Sequence, residues 1–197
     1  MNLLQSPRFG FRTIAALVFF IAVACAFPAR RLMETSRQAK LVSSLRDAGA
    51  KVTQCRAKYQ RETFCDQFYN SIGFPPYLHG FNLNLTDLDD FDRQLLAQGL
   101  QLRGVCFITI DGSTIAGLSN PEIVELISDN SNPNLRFIDI SESDFNSEDL
   151  MGFLQIPSLK TIYISLCPNI TKAGKEKLIA EATTCDVRIH VGKGIVD

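Results

Sequence analysis

Leu135-Arg136-Phe137-Ile138-Asp139-Ile140 and Leu159-Lys160-Thr161-Ile162-Tyr163-Ile164 follow one pattern, L-x-x-I-x-I, and begin 24 residues apart. The second copy continues through Cys167, Ile170, Thr171, Gly174 and Leu178, more anchored positions than a single strand or helix requires. Together they define a repeating unit. Outward from these copies the pattern is placed at Leu78-x-x-Phe81-x-Leu83, at Val105-x-x-Ile108-x-Ile110 and, degraded, at Thr184-x-x-Val187-x-Ile189, with successive spacings of 27, 30, 24 and 25 residues. In an extended segment alternate residues share a face, so Ile138 and Ile140 are expected to point inward and Asp139 outward. One such unit cannot bury its own apolar side, whereas a stack can. Each strand is therefore expected to pair with the same strand of the next unit.

Periods of about 20 to 30 residues with this pattern mark a leucine-rich repeat. The expected fold is α/β, a short leucine-rich repeat solenoid over 78–197 with a parallel strand ladder and helical return segments. The return segments carry helix-start signals: Asn120-Pro121-Glu122 supplies a cap, a first-turn proline and an acid, and Ser147-Glu148-Asp149 and Thr171 are further candidate caps. Asp87, Asp89, Asp90 and Asp92 lack the glycine and terminal glutamate of a calcium loop, and acids at a helix start explain them better. Gly99 is expected to close that helix.

The amino-terminal part has a different character. Residues 13–29 hold no charge and are bracketed by Arg8 and Arg12 on one side and Arg30 and Arg31 on the other. Three readings compete: a retained transmembrane helix at the lower limit of spanning length, a signal peptide cleaved near Ala22-Val23-Ala24, and a lipoprotein box with Cys25 acylated. The retained single-pass helix is preferred, because the stretch reaches spanning length and runs on into a helical pattern. Residues 1–12 are then a basic tail, and 30–51 a basic juxtamembrane helix with Leu41, Leu45 and Ala48 at helical spacing and Gly49 at its end. Lysine and arginine are denser on the carboxyl side of the span, which leans the large domain toward the cytoplasm. A short strand is expected at Lys51-Val52-Thr53, and residues 52–77 are rich in Phe and Tyr up to Pro75-Pro76. They read as a cap over the first open edge of the stack.

Bulk properties narrow the function. With 197 residues and 46% hydrophobic content, the chain is long enough for one well-buried core. Residues 1–51 carry eight Lys/Arg against two Asp/Glu, and the remainder twelve against nineteen. A basic segment beside an apolar run suits an anionic membrane surface, while the acidic remainder argues against a nucleic-acid partner. Six cysteines show no C-x-x-C pair and no histidine spacing of a zinc site, so they read mostly as buried thiols; Cys55 and Cys65 alone are close enough in sequence to suggest a local disulfide. His79 and His190 are the only histidines. No nucleophile motif, phosphate loop or metal cluster is present, so neither enzymatic activity nor a cofactor is expected. The Asn84 and Asn169 glycosylation signals are read as idle.

Leu159 to Leu178 resembles the cysteine-containing leucine-rich repeat, L-x-x-L-x-L-x-x-C-x-x-I-T-x-x-G-x-x-x-L, with every anchor present. The layout as a whole resembles a group of bacterial, notably planctomycete, membrane proteins with an Arg-rich start, a spanning helix, a basic segment ending L-R-x-x-G-x-x-V (here Leu45 to Val52) and a few such repeats. Residues 54–77 carry that resemblance weakly, and the unit starting at Val105 departs from it by its length. The resemblance implies an anchored interaction module and no particular ligand.

If the module binds another protein, its contacts are expected on the outward positions of the ladder. The position between the two inward residues reads Asn82, Thr109, Asp139, Tyr163 and Arg188, and Phe107 and Phe137 stand two residues earlier as neighbours. Phe107, Thr109, Phe137, Asp139, Tyr163 and Arg188 are the candidate contact residues, since adjacent exposed aromatics commonly anchor protein interfaces. The competing expectation is that the rings pack beneath the 111–121 loop or the cap, over a merely solvated polar ladder. At the level of the whole protein, the alternatives are a structural or self-associating envelope protein and a secreted or lipid-anchored form of the same domain.

Overall fold

A computed structural model describes residues 10–54, 80–85, 92–102, 104–112 and 117–192, with the side chains at 11, 12, 23–25, 27 and 54 left out. The described chain is α/β, a six-stranded and mostly parallel sheet with helices between its strands. In order the elements are α1 (Phe11–Asp47), β1 (Lys51–Gln54), β2 (Phe81–Asn84), α2 (Arg93–Leu100), β3 (Val105–Asp111), α3 (Asn120–Asn130), β4 (Phe137–Ser141), α4 (Ser147–Met151) with a 3-10 turn at Gly152–Gln155, β5 (Thr161–Ser165), α5 (Lys172–Thr184) and β6 (Arg188–Val191). The strands lie in chain order across the sheet. Only the β1–β2 pair is antiparallel.

Register places the sequence copies side by side. Ile108 pairs with Ile138, Ile138 with Ile162, and Ile162 with Ile189. Ile108, Ile138 and Ile162 are completely buried, in a core they share with Ile123 and Ile127 of α3, Leu150 and Phe153 after β4, and Leu178 of α5. Burying an isoleucine side chain contributes about 1.5–3 kcal/mol, so this inner row adds several kcal/mol of cohesion between neighbouring strands.

The turns that leave the strands repeat as well. Gly112, Glu142 and Leu166 each lie two residues beyond the second inward isoleucine, and all three have positive φ (91°, 48° and 53°). Gly112 N donates to Ser141 O, and Glu142 N donates to Ser165 O, each at 3.1 Å, so these two left-handed residues hand their amides to the next strand. Beneath the following turns Cys167 is fully buried, its Sγ 3.3 Å from the Oγ of Ser143, which fills the equivalent place one unit earlier.

Two helix starts differ from expectation by one residue, and the cap expected at Thr171 is in place. Ser119, not Asn120, caps α3; the Glu122 carboxylate accepts from Ser119 N and Oγ at 2.9 and 2.7 Å, and these bonds hold the Glu122 carboxyl below its usual pKa. Asn146, not Ser147, caps α4, accepting from the amides of Glu148 and Asp149. Thr171 caps α5 through Gly174 N, and Asp92 caps α2 through Gln94 N. Asp87, Asp89 and Asp90 lie outside the described residues.

Gly99 does not close α2 but sits in its last turn. A Cβ there would stand 3.1 Å from both δ-carbons of Leu45, so the missing side chain lets α1 approach α2 closely. Through Val42 and Leu45 the carboxyl-terminal part of α1 belongs to the core. The sequence divides 13–29 from 30–51; in the structure α1 runs from Phe11 to Asp47 as one helix with Pro28 inside it. Toward its start α1 exposes Ile14, Leu17, Val18, Phe19, Phe20 and Ile21. Among the described residues no helix is long and apolar enough to cross a membrane, so the span expected at 13–29 is not found there. The basic tail up to residue 9 and the aromatic cap from residue 55, with Cys55, Cys65 and His79, also lie outside the described residues.

Candidate binding face

From Phe107 onward, alternation along β3, β4 and β5 leaves the odd-numbered residues on the face opposite the core. Burial follows this, with β4 alternating between half-buried Phe137, Asp139 and Ser141 and fully buried Ile138 and Ile140. Two rows cross this face. One holds Asn82, Phe107, Phe137, Thr161 and Arg188, and the other Asn84, Thr109, Asp139, Tyr163 and His190.

The candidate residues do share one face, but Arg188 and Asn82 stand one rung from where the pattern set them. Arg188 is beside Thr161, in the row of Phe107 and Phe137; His190 takes the place next to Tyr163. Both terminal copies had been aligned two residues off. A two-residue slip preserves which side a residue faces while moving it one rung along the strand, so faces were read correctly and rows were not. At the first copy the register shifts between Phe81 and Asn82, and Leu83, rather than Phe81, pairs with Ile108. His190 was missed for the same reason, although the alternation Arg188-Ile189-His190-Val191 holds its signal.

Four rings form a stack across the strands. Phe107 and Phe137 have centroids 5.7 Å apart with planes at 25°, Phe107 and Tyr163 6.3 Å apart at 14°, and Tyr163 and His190 5.2 Å apart at 16°. These separations fall within the range of favourable offset stacking. Phe107 and Tyr163 are carried by β3 and β5, two strand spacings or roughly 9.6 Å apart at the backbone, so their rings converge over β4. Asp139, on β4, lies directly between Thr109 and Tyr163 in register. Its carboxyl is pushed above the usual aspartate pKa, first by burial and then by the charge of Asp111. Thr109 Oγ1 donates to Asn82 Oδ1 at 3.1 Å, and Ser141 Oγ donates to Asp111 Oδ1 at 3.2 Å.

Elsewhere the polar side chains do structural work. Asn132 is buried and donates through Nδ2 to Leu100 O and Val105 O, both at 3.0 Å, while its Oδ1 accepts from Asn134 N at 2.8 Å. It ties the end of α2, the start of β3 and the turn before β4 together. Among the described residues no group of three His, Cys, Asp or Glu side chains is placed to hold a metal. Cys106 and Cys167 are buried and Cys185 is exposed. No protein family, curated protein or solved structure matches the chain.

Proposed function

We propose that the chain is a short leucine-rich repeat module of the cysteine-containing type, held at a membrane by residues 13–29, whose ring-bearing sheet face binds another protein. The repeat reading is supported by the equivalent register of Ile108, Ile138 and Ile162 and by the recurrent left-handed turn at Gly112, Glu142 and Leu166. The anchor reading is supported by the run of exposed apolar residues from Ile14 to Ile21 on a helix whose far end is packed into the core. The binding reading rests on one observation, the stack of Phe107, Phe137, Tyr163 and His190 on a sheet face. Aromatic clusters with polar surroundings are what protein interfaces use as anchors.

A photocrosslinker at position 163 of the full chain tests this in cells. The expected result is one adduct with a different protein, lost in Phe107→Ser and retained in Ile179→Ser, a change of an exposed residue on α5. Adducts containing only further copies of the chain would replace the reading with self-association. Alkaline extraction of membranes tests the anchor: the full chain is expected to stay with lipid, and its release would overturn that part.

A further inference from the structure

Between α1 and α2 lies a cavity of about 180 Å³, partly open to solvent. Glu34, Arg37, Gln38 and Leu41 line it from one face of α1, and Gln98 and Leu102 line it from the other side. Gln38 continues the inward stripe of Val42 and Leu45 and is only 4% exposed. An apolar side chain would satisfy packing there, yet an amide is present, and its Oε1 has no hydrogen-bond partner. Leaving a buried amide oxygen unpaired is costly and rare. Half-buried Glu34 and exposed Arg37 stand three residues apart with opposite charges, but among the described residues neither forms an ion pair. The cavity therefore gathers a carboxylate, a guanidinium and an amide that the fold does not use.

We propose that this cavity binds a free α-amino acid with a short aliphatic side chain. Its ammonium group meets Glu34, its carboxylate accepts from Arg37, the Gln38 amide hydrogen-bonds to it, and its side chain lies against Leu41 and Leu102. A simple anion would be repelled by Glu34, a simple cation by Arg37, and a neutral solute would strip water from a half-buried carboxylate without answering its charge. A zwitterion answers both charges at once. An apolar cavity of about 150 Å³ holds benzene, so this one takes a single molecule of roughly six to nine non-hydrogen atoms. That range runs from alanine to leucine and excludes peptides and nucleotides. An ethanolamine phosphate headgroup carries the same two charges. Glu34 and Arg37, however, lie five and eight residues beyond Ala29, about 7.5 and 12 Å along the helix, while a headgroup layer is about 5–8 Å deep. Distance favours the free solute, and this step alone rests on the anchor reading above.

The test is calorimetric titration of the full chain in maltoside micelles with L-valine, with isobutylamine, which lacks the carboxylate, and with 3-methylbutanoate, which lacks the ammonium group. Valine is expected to bind saturably at one site, at least about tenfold more tightly than either analogue. Glu34→Gln and Arg37→Gln are each expected to weaken valine at least about tenfold, and to melt with the parent when no ligand is added, because neither side chain is paired within the fold. Gln38→Leu is expected to bind more weakly yet melt above the parent, opposite changes that a purely structural glutamine would not give. Equal binding of the three solutes, or no saturable binding of valine, overturns the proposal. Tighter binding of ethanolamine phosphate than of valine overturns it as well, by making the occupant a lipid headgroup. Alkaline extraction reads the anchor separately, so release from the membrane with valine still bound would sink the anchor and leave the site standing.

Discussion

The two faces of one sheet are built on opposite rules. Inward, β3, β4 and β5 present the same residue at the same rung, Ile108, Ile138 and Ile162, all without exposure. Outward, the neighbouring rung reads Thr109, Asp139, Tyr163 and His190, no two alike. The inner row repeats because each position meets the same packing problem, a side chain enclosed between strand neighbours and a helix layer. The outer row is free of that problem, and its residues differ from strand to strand.

Truncating the inner row should do most damage. Ile138→Ala is expected to cost about 2–5 kcal/mol of unfolding free energy in urea titrations, because the cavity lies between two paired units. Asn132→Ala should follow, losing about 2 kcal/mol by leaving the carbonyls of Leu100 and Val105 without their donor. On the outer face Phe107→Ser should cost about 1–3 kcal/mol, the worth of its two stacked pairs, while abolishing the proposed partner capture. If Phe107→Ser were as destabilising as Ile138→Ala, the contrast between the faces would fail.

Smaller changes sharpen the same contrast. Glu142→Gly and Leu166→Gly relieve side chains held at positive φ and are each expected to add about 0.5–1 kcal/mol, visible as a raised melting temperature. The smallest effect is that of pH on Asp139. Its folded pKa is raised, so the folded chain holds the proton more tightly and stability falls as pH rises from the unfolded value of 3.8 through the folded one. Asp139→Asn should therefore melt above the parent at neutral pH, with the difference shrinking below pH 3.8.

Much of this was legible in the residues, because alternation and repetition are both written in plain apolar letters. The pattern identified β3, β4 and β5, their inward isoleucines, and Phe107 and Phe137 as neighbours. It misplaced the terminal copies, where Phe81 to Leu85 and Val187 to Val191 each supply a run of alternating apolar residues that fits the pattern at two offsets. Only pairing with an adjacent strand selects one. Gly99 was misread because a glycine near a helix end signals termination, whereas here it makes room for Leu45, a residue 54 positions away. Asn132 was invisible in the sequence, since nothing local distinguishes a buried bridging asparagine from one in a turn.

A nuclear Overhauser map of the full chain in detergent tests the central claim most directly, that strands lie side by side in chain order with an isoleucine row inside and a stack of rings outside. The expected map links the backbones of Ile108 to Ile138, Ile138 to Ile162 and Ile162 to Ile189, and the ring of Phe107 to those of Phe137 and Tyr163. Backbone links that skip a strand, or rings of Phe107 and Tyr163 that contact the core isoleucines instead of each other, would contradict it.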